Sequence, residues 1–293
     1  MKNIGINVNT TKDPENKMLD FIVKTIYSIN KDINIKVYRD CIGLDTEESR
    51  KLDVVIVLGG DGTILNTSGN LPESETPILG VNIGHLGFLA QVEINSIRPA
   101  LINLFEGNYT IEDRTMIQCS FDNGHGMKNF HGLNDVILYK GIRNRIEKYD
   151  IFIDNEFYNV FSGDGIIICT STGSTAYNLS AGGPIIHSSL DAFCITPMYS
   201  QFLTARTIVL NNNSHITIKM RRNNESAFIS VDGQEWIDIK GPITINISKS
   251  IYKRKLIKFS NSSFFKTLRD KITFGAKECE GDIYESDKTH ENS

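Results

Sequence analysis

The run Val54-Val55-Ile56-Val57-Leu58 passes without a break into Gly59-Gly60-Asp61-Gly62-Thr63, and no other junction restricts the fold as much. Consecutive apolar residues, most of them β-branched, leave no polar face. This strand must therefore be covered on both sides, as a central parallel strand between helices is. The glycines that follow stop the strand and admit backbone conformations closed to other residues. The flanking sequence supplies the rest of such a layer. Lys2 to Asn9 reads as a strand, and Asp13-Pro14 puts a capping residue ahead of proline, which predicts a helix starting there. Met18, Leu19, Ile22, Val23, Ile26 and Ile29 fall on one helical stripe. Ile33 to Arg39 and Pro77 to Asn82 give two more strands. Residues 1–110 are expected to form an α/β, Rossmann-like domain.

From about Ile111 the pattern changes to strand after strand: MIQCSF, VILYK, YDIFID, EFYNVF, GIIICT, RTIVL, HITIKM, AFISVD, ITINIS and KLIKFS. Residues 111–257 therefore read as a mainly β domain, a sandwich. Asp154-Asn155 and Asp232-Gly233 stand between alternating runs and carry the chemistry of tight hairpin turns. Ser263 to Ile272 has Phe264, Phe265, Leu268 and Ile272 on one side of a short helix, so residues 258–276 are expected to return to the first domain. The polar tail 277–293 is expected to be disordered.

Composition narrows the function. The chain has 293 residues, 40% of them hydrophobic and 23% charged, with a formal net charge of -4. That balance lacks the basic footprint of a nucleic-acid partner. No apolar run approaches the ~20 residues needed to span a bilayer. The first residues, MKNIGINVNT, have no apolar core of a secretory signal, so a cytoplasmic location is expected. Cys41, Cys119, Cys169, Cys194 and Cys279 are scattered and never form C-x-x-C, which argues against a disulfide framework or a thiolate metal site.

Two segments carry chemistry. In the turn after Leu58, Gly59, Gly60, Gly62 and Thr63 would let backbone N–H groups approach a phosphate. Asp61 would repel that phosphate, so it needs a metal to balance it or a hydroxyl whose proton it can accept. With a loose phosphoryl-transfer transition state, a carboxylate of ordinary pKa, near ~3.9, suffices for the second role. The plainer alternative is a tight turn whose aspartate caps the next helix. The second segment, Thr170 to Pro184, gathers hydroxyls, Tyr177 and glycines after an apolar strand. Hydroxyls and N–H groups suit ribose and phosphate oxygens, and Tyr177 could meet a base. A hydroxyl-rich loop that caps a helix and packs closely at Gly182-Gly183 is the alternative. There is no G-x-x-x-x-G-K-[ST] segment, no G-x-G-x-x-G after a strand and no H-E-x-x-H. His85 and His187, beside the glycine motifs, read as hydrogen-bonded structural histidines.

Gly59-Gly60-Asp61-Gly62-Thr63, Asn82-x-Gly84-x-Leu86-Gly87-Phe88-Leu89, Asn134-Asp135 and Thr170-x-Thr172-Gly173-Ser174-Thr175-Ala176-Tyr177 through Gly182-Gly183-Pro184 occur in the order and spacing of bacterial NAD kinases. The chain resembles that family from end to end. The resemblance implies the two-domain NAD kinase fold and transfer of the γ-phosphoryl group of ATP to the 2′-hydroxyl on the adenosine ribose of NAD, giving NADP. It implies Asp61 as the carboxylate that contacts and deprotonates that hydroxyl, with Gly62 beside it. It also implies Asn134 and Asp135 on the adenosine, Asp164 near the nicotinamide end, Thr175, Ala176, Tyr177, Asn178 and Ser180 in the adenine and ribose loop, and Gln234 and Arg145 as further ligand contacts. A divalent ion, Mg2+, would accompany ATP, and a homodimer or homotetramer would share the site between subunits. Asn66, Ser162 and the segment around Tyr199 depart from the usual family residues. Two other functions stay open on the sequence: a lipid kinase of the diacylglycerol type, which shares GGDGT, and a non-catalytic dinucleotide sensor on the same fold.

Overall fold

A computed structural model describes residues 1–71, 73, 75–84, 87–141, 146–200, 205–220, 227–239, 241–260 and 263–271. The apolar run after Asp53 forms the strand Val54–Gly59, buried along its whole length. It pairs in parallel with Asn3–Val8 on one side and Ile78–Asn82 on the other, and Asn34–Arg39 adds outside Asn3–Val8. Alternation across the pleat sends Ile4, Ile6, Val54, Ile56 and Leu58 to one face, where Leu19, Ile22 and Ile26 of the helix Lys17–Ile29 cover them. Val55 and Val57 go to the other face, against Ile64 and Leu65 of the helix Asp61–Gly69.

The first helix begins at Lys17, later than the Asp13-Pro14 signal predicts. Asn16 adopts a left-handed backbone, φ 56°, which separates a turn over 13–16 from the helix proper. Asp13 still serves the helix start, because its carboxylate accepts the N–H groups of Met18 and Leu19 at 3.2 and 2.9 Å.

Past residue 110 two sheets stack. One is six-stranded, in the order Ile208–Asn211, Ala192–Met198, Gly165–Thr170, Asp135–Lys140, Ala227–Val231, Glu235–Ile239. Its Val136, Leu138, Ile166, Ile168, Phe193 and Ile195 meet Ile117, Phe121, Tyr149, Ile151, Ile216 and Ile218 of the larger sheet in one apolar core. This is the expected sandwich. Asp154 and Asn155 both have positive φ, 52° and 69°, at their hairpin, as do Asp232 and Gly233, 54° and 67°, at theirs.

The two halves share backbone. ITINIS and KLIKFS, which read as separate strands, belong to a single strand, Ile243–Lys258. A register shift between Lys249 and Lys253 absorbs Ser250, Ile251 and Tyr252 as a bulge, so the pairing runs on through both segments. One edge of this strand carries Ile216–Met220 of the sandwich and then, at Leu256, Ile78 of the parallel layer. The other edge carries Thr110–Asp122 along nearly its whole length. The parallel layer therefore continues into one sandwich sheet, and the loops of both halves are held against each other by hydrogen-bonded backbone. Arg254, fully buried on this strand, adds to the join by donating to Ser68 Oγ at 3.0 Å and Ser68 O at 2.9 Å, and also to Leu71 O.

Residues 264–271 form a last helix. Phe264 packs on Phe88 of the first half and on His187 of the second, with ring centroids 6.0 and 4.6 Å apart. The tail 277–293 lies outside the described residues.

Candidate active site

Three loops leave the carboxyl ends of the parallel strands, where ligands of such sheets bind, and the sequence ties them together. The loop after Asn3–Val8 is bound to the glycine turn by Asn9, whose Nδ2 donates to Thr63 Oγ1 at 3.2 Å. Gly59 has no room for a side chain, since a Cβ there would lie 2.2 Å from Thr63 Oγ1. The third loop, 83–90, is held by Asp61. The N–H of Phe88 donates to Asp61 Oδ2 at 2.8 Å, and those of Leu89 and Ala90 donate to Oδ1 at 2.9 and 3.1 Å. A Cβ on Gly87 would fall 2.0 Å from Oδ1, so the carboxylate needs a glycine to reach these amides.

Asp61 therefore does not cap its own helix, the plainer reading of the turn. The helix N-cap is Gly60, without a side-chain hydrogen bond. Asp61 keeps 28% of its side-chain exposure, and Lys271 of the last helix stands 3.7 Å from Oδ2. Oδ1 accepts two amides, Oδ2 only one, so Oδ2 is the oxygen with capacity left for a further donor.

The second half answers with another carboxylate held the same way. Asp232 accepts the N–H groups of Leu133 at 2.7 Å, Asn134 at 2.7 Å and Asp135 at 3.1 Å. These bonds fix the Asn134-Asp135 pair at the start of a central strand. Burial pushes the Asp232 carboxyl up to about 6 despite the three donors. Burial first, and the Asp232 charge second, push that of Asp135 up to about 8. Asn134 Oδ1 is buried with no hydrogen-bond partner among the described residues, a polar group that a ligand donor would satisfy.

A cavity of about 290 Å³ lies over this pair, lined by Asn134, Asp135, Ala176, Tyr177 and Trp236 of the second half and by Leu65 of the first. A second cavity, about 460 Å³, continues from it past Tyr139, Tyr177, Phe228 and Trp236. Leu65 follows Asp61 by one helical turn on the same face, which puts the carboxylate ~6 Å along the helix from the cavity edge.

The hydroxyl loop is turned inward more than its sequence suggests. Thr170 Oγ1 donates to Leu133 O at 2.6 Å and Ser174 Oγ to Ser171 O at 2.8 Å, while Thr172 Oγ1 accepts from Arg114 at 3.2 Å. Thr175 Oγ1 lies 3.4 Å from Thr172 O. Asn178 is fully buried, its amide donating to Ser174 O and Pro184 O and accepting from Thr196. A Cβ on Gly183 would sit 2.1 Å from its Oδ1, which is the close packing that the alternative reading of this segment expects. Ala176 and Tyr177 line the cavity, and Ser180 is exposed beside it.

Other expected residues lie further off. Asp164 pairs with Lys140 at 2.8 Å and lines neither cavity. Gln234 is exposed and reaches across to the end of the helix Asp61–Gly69, where a Cβ on Gly69 would lie 3.0 Å from its Oε1. Asn66 Oδ1 accepts from Asn70 at 3.0 Å, Ser162 is buried and Tyr199 is 83% exposed. Arg145, His85 and Leu86 lie outside the described residues. His187 is hydrogen-bonded to Ser189 at 2.8 Å. Asp232 and Lys271 are the residues that sequence reasoning passed over. Asp232 was visible only as turn chemistry, and nothing near Lys271 in the sequence signals a site.

Comparison with known proteins identifies the family. Residues 9–109 match the ATP-NAD kinase N-terminal domain and residues 133–259 the ATP-NAD kinase C-terminal domain. An NAD kinase of Clostridium kluyveri is 63% identical over 97% of this chain and all of that relative, and one of Clostridium botulinum is 47% identical over 96% of this chain and all of that relative. In fold, the chain is similar to yeast NADH kinase complexed with NADH, with a TM-score of 0.84 at 22% identity, covering 94% of this chain and 88% of that one. It is also similar to an NAD kinase from Archaeoglobus fulgidus in complex with ATP, with a TM-score of 0.76 at 23% identity, covering 92% and 98%. With both domains matched in order and two relatives aligned over nearly the whole length, the chain belongs to the ATP-NAD kinase family.

Proposed function

We propose that Asp61 Oδ2 receives the proton of the 2′-hydroxyl on the adenosine ribose of NAD, and that the cavity over Asn134 and Asp135 holds the adenosine. The chain is an NAD kinase, a phosphotransferase that uses ATP and NAD and forms NADP. The lipid kinase and the sensor find no support among its relatives. One observation carries the assignment of Asp61: at the glycine turn its carboxylate is fixed by three main-chain donors, with Oδ2 left able to accept another and Lys271 3.7 Å from it. A base held in place by backbone loses no orientation when the substrate arrives. Proton transfer late in a loose transition state asks no unusual basicity of it.

The other roles follow from position. Asn134 Oδ1 accepts from the adenosine, Asp135 faces the same cavity, and Tyr177 with Trp236 offers ring faces to the base. Gly60 and Gly62 face the phosphates of the donor, while Gly59 and Thr63, whose N–H donates to Gly60 O at 3.0 Å and whose hydroxyl accepts from Asn9, hold the shape of the turn. Asp164, Gln234 and Ser180 meet the remainder of the dinucleotide at the rim. Among the described residues no three His, Cys, Asp or Glu side chains gather into a metal cage. The site instead suits Mg2+ that would arrive on ATP, held by the substrate's phosphates, with Asp61 left to the hydroxyl. When bound it neutralises phosphate charge.

No described helix is long and apolar enough to cross a membrane. We place the enzyme in the cytoplasm, with neither nucleic acid nor membrane as partner, as a homodimer or homotetramer in which a neighbouring subunit covers the exposed rings of Tyr177 and Trp236. Light scattering on purified protein checks the assembly. A coupled assay with NAD, ATP and magnesium, reading NADP through an NADP-specific dehydrogenase and run beside Asp61→Asn, tests the central assignment. NADP formation that survives the substitution unchanged removes Asp61 as the base.

A further inference from the structure

We infer that Lys12 binds the phosphoryl donor, its ammonium neutralising the phosphate chain of ATP where that chain crosses Gly60 and Gly84. The loop that carries Lys12 is built onto the glycine turn. Asn9 N donates to Leu58 O at 3.1 Å, the last apolar residue before the turn, and Asn9 Nδ2 donates to Thr63 Oγ1 at 3.2 Å. The same asparagine holds Lys12, whose N–H lies 3.1 Å from both Asn9 O and Asn9 Oδ1. A bridge of one residue thus fixes Lys12 relative to Thr63.

The side chain lies over the two glycines. A Cβ on Gly60 would lie 2.9 Å from Lys12 Nζ, and one on Gly84 would lie 3.7 Å from it. The ammonium occupies the space that side chains at those two positions would take, between the turn after Val54–Gly59 and the loop after Ile78–Asn82.

Its charge is not answered among the described residues. The acidic groups near this loop are committed elsewhere: Asp13 accepts the N–H groups of Met18 and Leu19, and Asp40 accepts the N–H and hydroxyl of Thr10. Asp61 points to the amides of 88–90 and faces Lys271. No carboxylate among the described residues pairs with Lys12. A cation standing over two glycines of the turn that carries Asp61 calls for an anion from the ligand, and in this reaction the anion is the donor's triphosphate. A compact ammonium on a flexible stem can follow the γ-phosphoryl group as it moves.

The inference rests on the reading of the turn as the phosphate cradle. Lys12 is exposed and its backbone makes the bonds that hold the loop, so substitutions there leave the fold intact. Steady-state kinetics of Lys12→Gln is expected to show a KM for ATP raised about tenfold or more, as for loss of a charge-assisted bond, with the KM for NAD changed by less than about twofold. Lys12→Arg, which keeps the charge, brings the KM for ATP back to within about threefold of the unaltered enzyme. Inorganic tripolyphosphate, used as a competitor of ATP, weakens on Lys12→Gln by the same factor as ATP. An unchanged KM for ATP, an equal rise in both KM values, or tripolyphosphate competition that Lys12→Gln leaves intact overturns the assignment of Lys12 alone. Failure of tripolyphosphate to compete with ATP on the unaltered enzyme overturns the phosphate cradle and the Lys12 assignment with it.

Discussion

Each half of the molecule presents an aspartate whose carboxylate is gripped by three consecutive main-chain N–H groups, and the two put the same device to different uses. In the parallel layer Asp61 grips 88–90 and has Lys271 standing 3.7 Å from Oδ2. In the sandwich Asp232 grips 133–135, lies against a second buried carboxyl, that of Asp135, and has burial as the main cause of its raised pKa. The grip itself sets geometry in both. What differs is the neighbour: a carboxylate beside a cation at the glycine turn is placed to do chemistry, and one set against another acid is placed to position its neighbours.

The largest test of that distinction is Asp61→Asn, expected to lower kcat about 100-fold or more while NAD binding stays within about tenfold, since an amide can still accept two of the N–H groups but cannot take a proton. Single-turnover NADP formation and equilibrium NAD binding measure the two quantities. A variant that loses binding and keeps turnover would make Asp61 a positioning residue like Asp232. Asp232→Ala is expected to do the reverse. It strands three N–H donors, at about 1–3 kcal/mol for each one left buried without a partner, and so lowers the unfolding midpoint. It raises the KM for NAD about tenfold through the displaced Asn134-Asp135 pair, with kcat nearly unchanged. A kcat loss as deep as that of Asp61→Asn would erase the contrast.

The same contrast predicts a pH dependence of stability. The carboxyls of Asp135 and Asp232 are raised to about 8 and about 6, above the ~3.9 of an unfolded aspartate. Between these limits the folded chain keeps protons that the unfolded chain releases. Their contribution is complete below pH ~4 and is lost as the pH rises through the folded values. The unfolding midpoint of Asp135→Asn, which mimics the protonated acid, is therefore expected to gain on that of the unaltered protein as pH rises from 5 to 8. Thermal scans across that range check it, and a constant difference would mean that Asp135 is ionised throughout.

How much of this was open to sequence reasoning depends on distance along the chain. The glycine turn and the hydroxyl loop are local patterns, and both lie where their spacing suggested. The core was legible for the same reason, because alternation and helical stripes are written in neighbouring residues. What the sequence hid are partnerships of high separation: Asp61 with Phe88, Asp232 with Asn134, and Lys271 at the far end of the chain against Asp61. The hydroxyls of Thr170, Ser171 and Ser174 looked ligand-facing because composition gives the donors and not their direction. The strand Ile243–Lys258 reads as two in the sequence because Lys249 to Arg254 breaks the apolar alternation, which a bulge restores in space.

Lys271→Gln is the finest probe of the comparison, because it removes the feature that Asp61 has and Asp232 lacks. The pair is partly exposed and long, 3.7 Å, with the lysine also over the ring of Phe88 at 4.9 Å. Exposed pairs of this kind are worth ~0–1 kcal/mol, so kcat is expected to fall no more than about fivefold, with NAD affinity unchanged. Steady-state kinetics at low and high salt separates the sources of that loss. If Lys271 acts by charge on Asp61, added salt narrows the gap between variant and unaltered enzyme, since screening weakens the pair in the one and has nothing to weaken in the other. If the gap is insensitive to salt, Lys271 acts by packing the last helix onto Phe88. A loss approaching that of Asp61→Asn would instead make the lysine a partner in the transfer itself, and the cation would then be what separates the active carboxylate from its counterpart in the sandwich.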